Sequence, residues 1–113
     1  MGGMQTLYAG LNNTSLFGYL GVFSSGWIQP MQNEIAQGQY NLMAANTKAI
    51  NDNLKQFWIS MGGKEDIAYK NCQLMLAKFD ELHVKYTYSE YPGGHSWPVW
   101  RNNLYNFAQL LFK

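Results

Sequence analysis

Apolar and polar residues follow two kinds of pattern along this chain, and together they predict seven secondary-structure elements. Apolar residues recur at helical spacing in four segments, whereas nearly continuous apolar runs, typical of strands buried on both faces, occupy three others. The predicted helices are 1–11, 40–56, 66–82 and 97–112. The predicted strands are 17–25, 57–61 and 83–90. Neither pattern holds between 26 and 38, where a long, partly helical loop is predicted.

Helices and strands alternate along the whole chain, which is the order expected of crossover units that build a parallel sheet. No internal repeat, low-complexity segment or linker interrupts this order. We therefore expect one α/β unit with about three parallel strands and flanking helices.

Composition narrows the classes of function. Eight Lys or Arg nearly balance seven Asp or Glu, and a net charge of +1 predicts no binding of nucleic acid or of an anionic membrane surface. No apolar run reaches the roughly 18 residues of a membrane span. The single cysteine, Cys72, lies on the apolar face of the helix predicted at 66–82 and is interpreted as a buried hydrophobe. No metal-ligand cluster or phosphate-binding loop is found, so no metal or cofactor is expected.

Two candidate catalytic side chains follow neighbouring predicted strands. Asp66 comes after the strand at 57–61 and His95 after the strand at 83–90, each within a short turn that contains glycine. The carboxyl ends of parallel strands share one edge of the sheet, so these side chains are expected to lie together. A carboxylate there can orient an imidazole, which then accepts a proton from a nucleophile. Alone, His95 would be interpreted as a surface residue, and His83 has no such partner.

The nucleophile that would complete this group is not evident in the sequence. Met1-Gly2-Gly3, followed at once by a predicted helix, matches what remains of a G-x-S-x-G elbow cut directly after its serine. The Met1 amide would then be one oxyanion-hole donor. A start codon followed by a flexible Gly-Gly explains the same residues equally well.

Serines present in the chain are weaker candidates for the nucleophile. Ser60 precedes Met-Gly-Gly, but Trp58 stands where the elbow needs a glycine, so Ser60 is interpreted as a strand-end residue. Ser24 and Ser25 end a strand without flanking glycines on both sides and are expected to shape the pocket. Ser96 adjoins His95 and is poorly placed to react with it.

The segment 91–101, Tyr-Pro-Gly-Gly-His-Ser-Trp-Pro-Val-Trp-Arg, continued through 103–107, resembles the histidine loop and last helix of a known family. This is the carbohydrate esterase family of α/β-hydrolases that includes feruloyl and acetylxylan esterases and is related to esterase D. The similarity covers 1–113 as the C-terminal part of such a domain. It implies a partial α/β-hydrolase fold that starts just after the elbow serine.

The resemblance also implies roles for individual residues. His95 matches the catalytic histidine and Asp66 the acid, with Glu65 a weaker candidate for the acid, while Met1 matches the residue after the nucleophile. The implied reaction is hydrolysis of feruloyl or acetyl esters of plant cell-wall polysaccharide, in a secreted or periplasmic protein. Trp27 and Trp97 are interpreted as substrate-binding residues or, equally, as loop packing.

A cut after the elbow serine has two expected consequences. The chain alone should show negligible esterase turnover, because removal of one triad member abolishes most of the rate gain. The edge of the strand at 17–25 should be exposed and prone to pair with a second copy or with an N-terminal fragment. The alternative is a remnant that binds carbohydrate or a partner and performs no chemistry.

Overall fold

The computed structural model describes residues 1–26 and 33–113, with side chains described from 37 onward in the second range. The four helices are α1 (Gly2–Leu11), α2 (Asn33–Asn53), α3 (Tyr69–Glu81) and α4 (Trp97–Ala108). The three strands are β1 (Tyr19–Phe23), β2 (Gln56–Met61) and β3 (Thr87–Glu90). The described strands form one sheet in the order β1-β2-β3, with both pairs parallel. The predicted α/β unit of three parallel strands with flanking helices is therefore confirmed.

The element boundaries differ from the predicted ones in places where the apolar pattern is weak. Helix α2 begins at Asn33, inside the segment predicted as a loop, because Glu, Ala and Gln favour a helix even without an apolar stripe. Strand β3 begins only at Thr87, since His83 adopts a left-handed turn with φ of 58° at the end of the preceding helix. His83 is exposed, as its sequence position predicted.

Most of the core lies on the face of the sheet covered by α1, α2 and α3. Apolar residues of the strands meet apolar residues of these helices in one cluster, in which Ile59, Met75 and Phe79 are completely buried. Cys72 is part of this cluster, as predicted. Strand β2 is the central strand, and five of its six residues are buried, which explains its nearly continuous apolar sequence.

Helix α4 covers the opposite face, with a buried side that agrees only in part with the predicted one. Its buried residues are Val99, Asn103 and Phe107, at intervals of four. The helical spacing of apolar residues predicts an inward side of Trp100, Leu104, Phe107, Leu110 and Leu111. Phe107 is buried as predicted, whereas Leu104 and Leu110 are 55% and 37% exposed. Apolar residues occur on both sides of this helix, and the buried residue between Val99 and Phe107 is a polar Asn103, so counting apolar positions finds only part of the buried side. None of the helices that the structure describes is long and apolar enough to span a membrane.

Candidate active site

Two loops meet at the carboxyl edge of the sheet because the strand pairing continues beyond β2 and β3. The Tyr91 amide donates to the Met61 carbonyl at 3.0 Å, and the Gly63 amide donates to the Gly93 carbonyl at 2.7 Å. The loop after β2 will be called the acid loop (62–68) and the loop after β3 the histidine loop (91–96). The backbones of the two loops are therefore hydrogen-bonded to each other at residues that precede Asp66 and His95 in the chain.

Glycines permit this close approach. A Cβ atom on Gly62 would lie 2.5 Å from the Gly93 carbonyl oxygen and 2.8 Å from that of Gly94. Gly93 has a φ of 139°, which side-chain-bearing residues rarely adopt, and a Cβ there would lie 2.6 Å from a Val99 methyl. Gly62 is therefore required by the contact between the loops, and Gly93 by its backbone conformation and its approach to Val99.

Asp66 and His95 are in direct contact across the two loops. His95 Nδ1 lies 2.8 Å from Asp66 Oδ1, and the Asp66 side chain is completely buried while that of His95 is 36% exposed. The Ala68 amide donates to Asp66 Oδ1 at 2.9 Å, and the Gly62 amide approaches Oδ2 at 3.3 Å. A proton held on Nδ1 by this carboxylate leaves Nε2 of His95 as a proton acceptor.

The surroundings of Asp66 favour its charged form. Burial alone would raise the pKa of this carboxyl, but hydrogen bonds from the Ala68 amide, the His95 ring and the Gly62 amide, together with the nearby Ser24 hydroxyl, more than offset it. The pKa of Asp66 is therefore held below its ordinary range. A carboxylate that stays ionised at neutral pH can stabilise the imidazolium that forms when His95 accepts a proton.

Aromatic rings extend from His95 toward solvent. The Trp100 ring meets the His95 ring edge to face at 4.9 Å, and Trp97 packs on Trp100 in the same way at 5.2 Å. Trp97 is 71% exposed. Trp100 supports the histidine because Ser96, the cap residue of α4, follows His95 directly and brings the first turn of the helix against the ring. Trp27 lies outside the described residues.

The other sequence candidates are placed as follows. Glu65 is exposed and its carboxylate lies beside Gly63, so Asp66 is the carboxylate that contacts His95. Ser60 is completely buried, which keeps its hydroxyl from a substrate. Met1 precedes the first turn of α1 and is 93% exposed, and the role of its amide stays a prediction.

Two features of the site were not foreseen from the sequence. The backbone amides of Gly62 and Ala68 hold the carboxylate, and a search for side-chain motifs does not include backbone donors. Ser24 is buried beside the same carboxylate, and its position one residue beyond β1 is the only sequence signal for it. Within the described part of the chain, no group of three His, Cys, Asp or Glu residues could hold a metal ion.

Comparison with known proteins gives a fold and a family. A solved structure of a ferulic acid esterase matches with a TM-score of 0.76 at 15% sequence identity, over 97% of this chain and 48% of that protein. The present chain thus spans about half the length of that esterase, and the likeness confirms a partial α/β-hydrolase fold. None of the curated proteins compared with the chain matches it significantly. The Esterase family model matches residues 1–110, so the chain belongs to the Esterase family.

Proposed function

We propose that this chain forms the acid and histidine half of a carboxylic ester hydrolase that acts on feruloyl or acetyl esters of plant cell-wall polysaccharide. The nucleophilic serine would come from residues that precede Met1. The 2.8 Å contact between His95 Nδ1 and the buried Asp66 carboxylate is the observation that carries this proposal. Membership of the Esterase family and the likeness to a ferulic acid esterase support it.

The reaction follows from the proton-accepting position of His95. Nε2 takes the proton of the serine hydroxyl while the serine oxygen bonds to the ester carbonyl carbon, and the same imidazole then gives the proton to the departing alcohol. Water repeats the sequence on the acyl-serine and releases the acid. Asp66 remains ionised throughout and stabilises the imidazolium. The Met1 amide, at the positive end of α1, would donate to the carbonyl oxygen as negative charge develops there.

Trp97 is the side chain best placed to bind the substrate. Its ring is 71% exposed and is supported from below by Trp100, which itself contacts His95. A phenolic acyl group or a sugar ring stacks favourably on an exposed aromatic face. A polysaccharide substrate of this kind would place the protein outside the cytoplasm, either secreted or in a periplasm.

Hydrolysis assays with methyl ferulate and nitrophenyl acetate test this function. The 113-residue chain should show negligible turnover, whereas the chain joined to its natural upstream residues should hydrolyse both esters. In that longer form Trp97→Ala should raise KM for methyl ferulate by about tenfold, since stacking of one ring on an aromatic side chain contributes about 1–3 kcal/mol. KM for nitrophenyl acetate should stay nearly unchanged, because its acyl group has no ring. Exposed Leu74→Ala on α3 is the matched control.

The outcomes of these assays separate the candidate functions. Turnover by the 113-residue chain at the rate of the longer form would show that the nucleophile is misplaced, since no upstream serine would then be needed. No turnover by either form, together with saturable quenching of tryptophan fluorescence by a xylan oligosaccharide, would favour a binding remnant without catalysis. The exposure of Trp97 is the observation that favours this second candidate.

The free edge of β1 leads to a proposal about assembly. The described sheet has β1 at its edge, and a groove of about 410 Å³ runs between this edge and α1. Its lining includes Phe17 and Tyr19. Unpaired backbone groups beside apolar surface favour pairing with another strand, so a second copy of this chain is expected to occupy the edge.

Light scattering over a concentration series tests this pairing. We expect a dimer at high concentration that Phe17→Lys weakens, because a charge beside the edge opposes burial there. Leu74→Lys, at an apolar position on α3 that is 49% exposed against 39% for Phe17, should leave the dimer intact. An added peptide from the upstream half should compete with the second copy. A monomer at every concentration would refute the proposal.

A further inference from the structure

We propose that Ser24 is a positioning residue for the acid of the candidate pair, with its hydroxyl directed to the Asp66 carboxylate. Ser24 follows β1 directly and is 5% exposed. It approaches Asp66 from the first strand, whereas His95 approaches from beyond the third. The assignment rests on the proposed esterase mechanism, in which Asp66 must stay ionised and fixed in orientation.

The backbone of Ser24 adopts a conformation that serine rarely takes. Its φ is 48°, in the left-handed region, and the other described non-glycine residues with positive φ, His83 and Phe112, are both exposed. The Ser24 amide donates to the Ser60 carbonyl at 2.8 Å, so the strand ladder continues to this residue and the chain turns only there. Glycine would adopt this turn without strain, and the presence of serine indicates that the side chain is used.

The Ser24 hydroxyl is buried beside Asp66 with no competing partner. Among residues 1–26 and 33–113 its Oγ has no hydrogen bond of ordinary distance and angle. Ser24 is hydrogen-bonded to Ser60, two residues before Gly62, whose amide lies 3.3 Å from Asp66 Oδ2, so the buried hydroxyl is at the start of the acid loop. Consistent with this position, it contributes to the lowered pKa of Asp66. A buried hydroxyl without a partner is unfavourable, so rotation of its proton toward the carboxylate is the expected way to satisfy both groups.

Ser24 completes the surroundings of the carboxylate. Asp66 Oδ1 is held by the Ala68 amide and the His95 ring, whereas Oδ2 has one long contact, with the Gly62 amide. Another titratable neighbour is the Cys72 thiol of α3, whose pKa is raised to about 12 by burial and by the charges of Asp66 and Glu90, so it stays neutral. A further donor would therefore keep Asp66 ionised and limit its rotation.

This position also argues against Ser24 as a nucleophile. Its hydroxyl lies at the carboxylate, while the proton-accepting Nε2 of His95 is the ring nitrogen that does not contact Asp66. A serine held there can orient the acid but cannot pass its proton to the histidine.

Titration of the Asp66 carboxyl by carbon NMR in the 113-residue chain tests the assignment without any ester. Ser24→Ala and Ser24→Gly should both move the Asp66 titration upward, toward the ordinary range of an aspartate, because each removes the hydroxyl. Ser24→Gly also relieves the positive φ and keeps the chain folded if Ser24→Ala does not. Ser24→Thr retains the hydroxyl and should retain the low titration although its branched side chain strains the turn. His83→Ala, at another left-handed position, is the control.

Stability provides a second measurement with a defined sign. Because the pKa of folded Asp66 lies below its ordinary value of 3.8, the carboxylate stabilises the fold above that pH and this stabilisation is lost as the pH falls through the folded pKa. Ser24→Ala should therefore cost more stability at pH 6 than at pH 2, and this pH dependence should vanish in an Asp66→Asn background. A purely structural serine would give an equal loss at both pH values. An unchanged Asp66 titration in Ser24→Ala and Ser24→Gly would overturn the assignment and leave the esterase proposal standing.

Discussion

Replacing His95 with alanine is expected to lower kcat by on the order of 10⁵ in the form of this protein that carries the upstream serine. In the proposed mechanism Nε2 of His95 is the atom that takes the serine proton, and the variant removes it. The imidazole is already oriented for this step by its 2.8 Å contact with Asp66. KM should change little, since the aromatic surface that binds the substrate remains. Steady-state hydrolysis of methyl ferulate measures both constants.

The acid should contribute through the tautomer of His95. Asp66→Asn keeps the size of the side chain but turns an acceptor into a potential donor, which favours the proton on Nε2 and blocks it as a base, so we expect kcat to fall by about 10⁴. His83→Ala and Glu65→Gln are matched controls, because both residues are exposed and neither takes part in the contact. If His83→Ala lost as much activity as His95→Ala, or Glu65→Gln as much as Asp66→Asn, the assignment of the pair would be wrong.

Gly62→Ala is expected to separate the acid loop from the histidine loop. The added Cβ would lie 2.5 Å and 2.8 Å from two backbone carbonyl oxygens of the histidine loop, and backbone atoms cannot turn aside as a side chain does. We expect a loss of about 2–3 kcal/mol in the free energy of unfolding, which is the upper range for overpacking a filled site. Urea unfolding monitored by tryptophan fluorescence measures this loss.

The contact between Asp66 and His95 should be lost in the same variant. NMR of the His95 ring nitrogens would report it, as the ring would no longer hold its proton preferentially on Nδ1. Gly38→Ala is the matched control, because no atom lies within 4 Å of its added Cβ and alanine in a helix is favoured over glycine by about 0.5–1 kcal/mol. Gly62→Ala with full stability and an intact ring signal would show that the loops are not held by this close approach.

Much of the fold was predictable because the central strand is buried on both faces. Strand β2 is a nearly continuous apolar run, and the helical spacing of Cys72, Met75 and Phe79 defines the inner face of α3 without reference to any neighbour. For α4 the sequence predicted Phe107 correctly as buried but also placed Leu104 and Leu110 inward, since apolar residues lie on both of its sides. Only contact with β2, where the Asn103 amide donates to the Met61 carbonyl at 3.3 Å, selects the side that is buried.

The sequence by itself determined the order of helices and strands and, through that order, the shared edge at which Asp66 and His95 lie. This follows because parallel strands joined by crossover helices must all end on one edge. The tertiary structure alone decided that the amides of Gly62 and Ala68 hold the acid, that Trp100 supports the histidine, and that Ser24 lies beside the acid. These choices depend on distances of a few ångströms between loops far apart in the chain, which no local pattern of residues encodes.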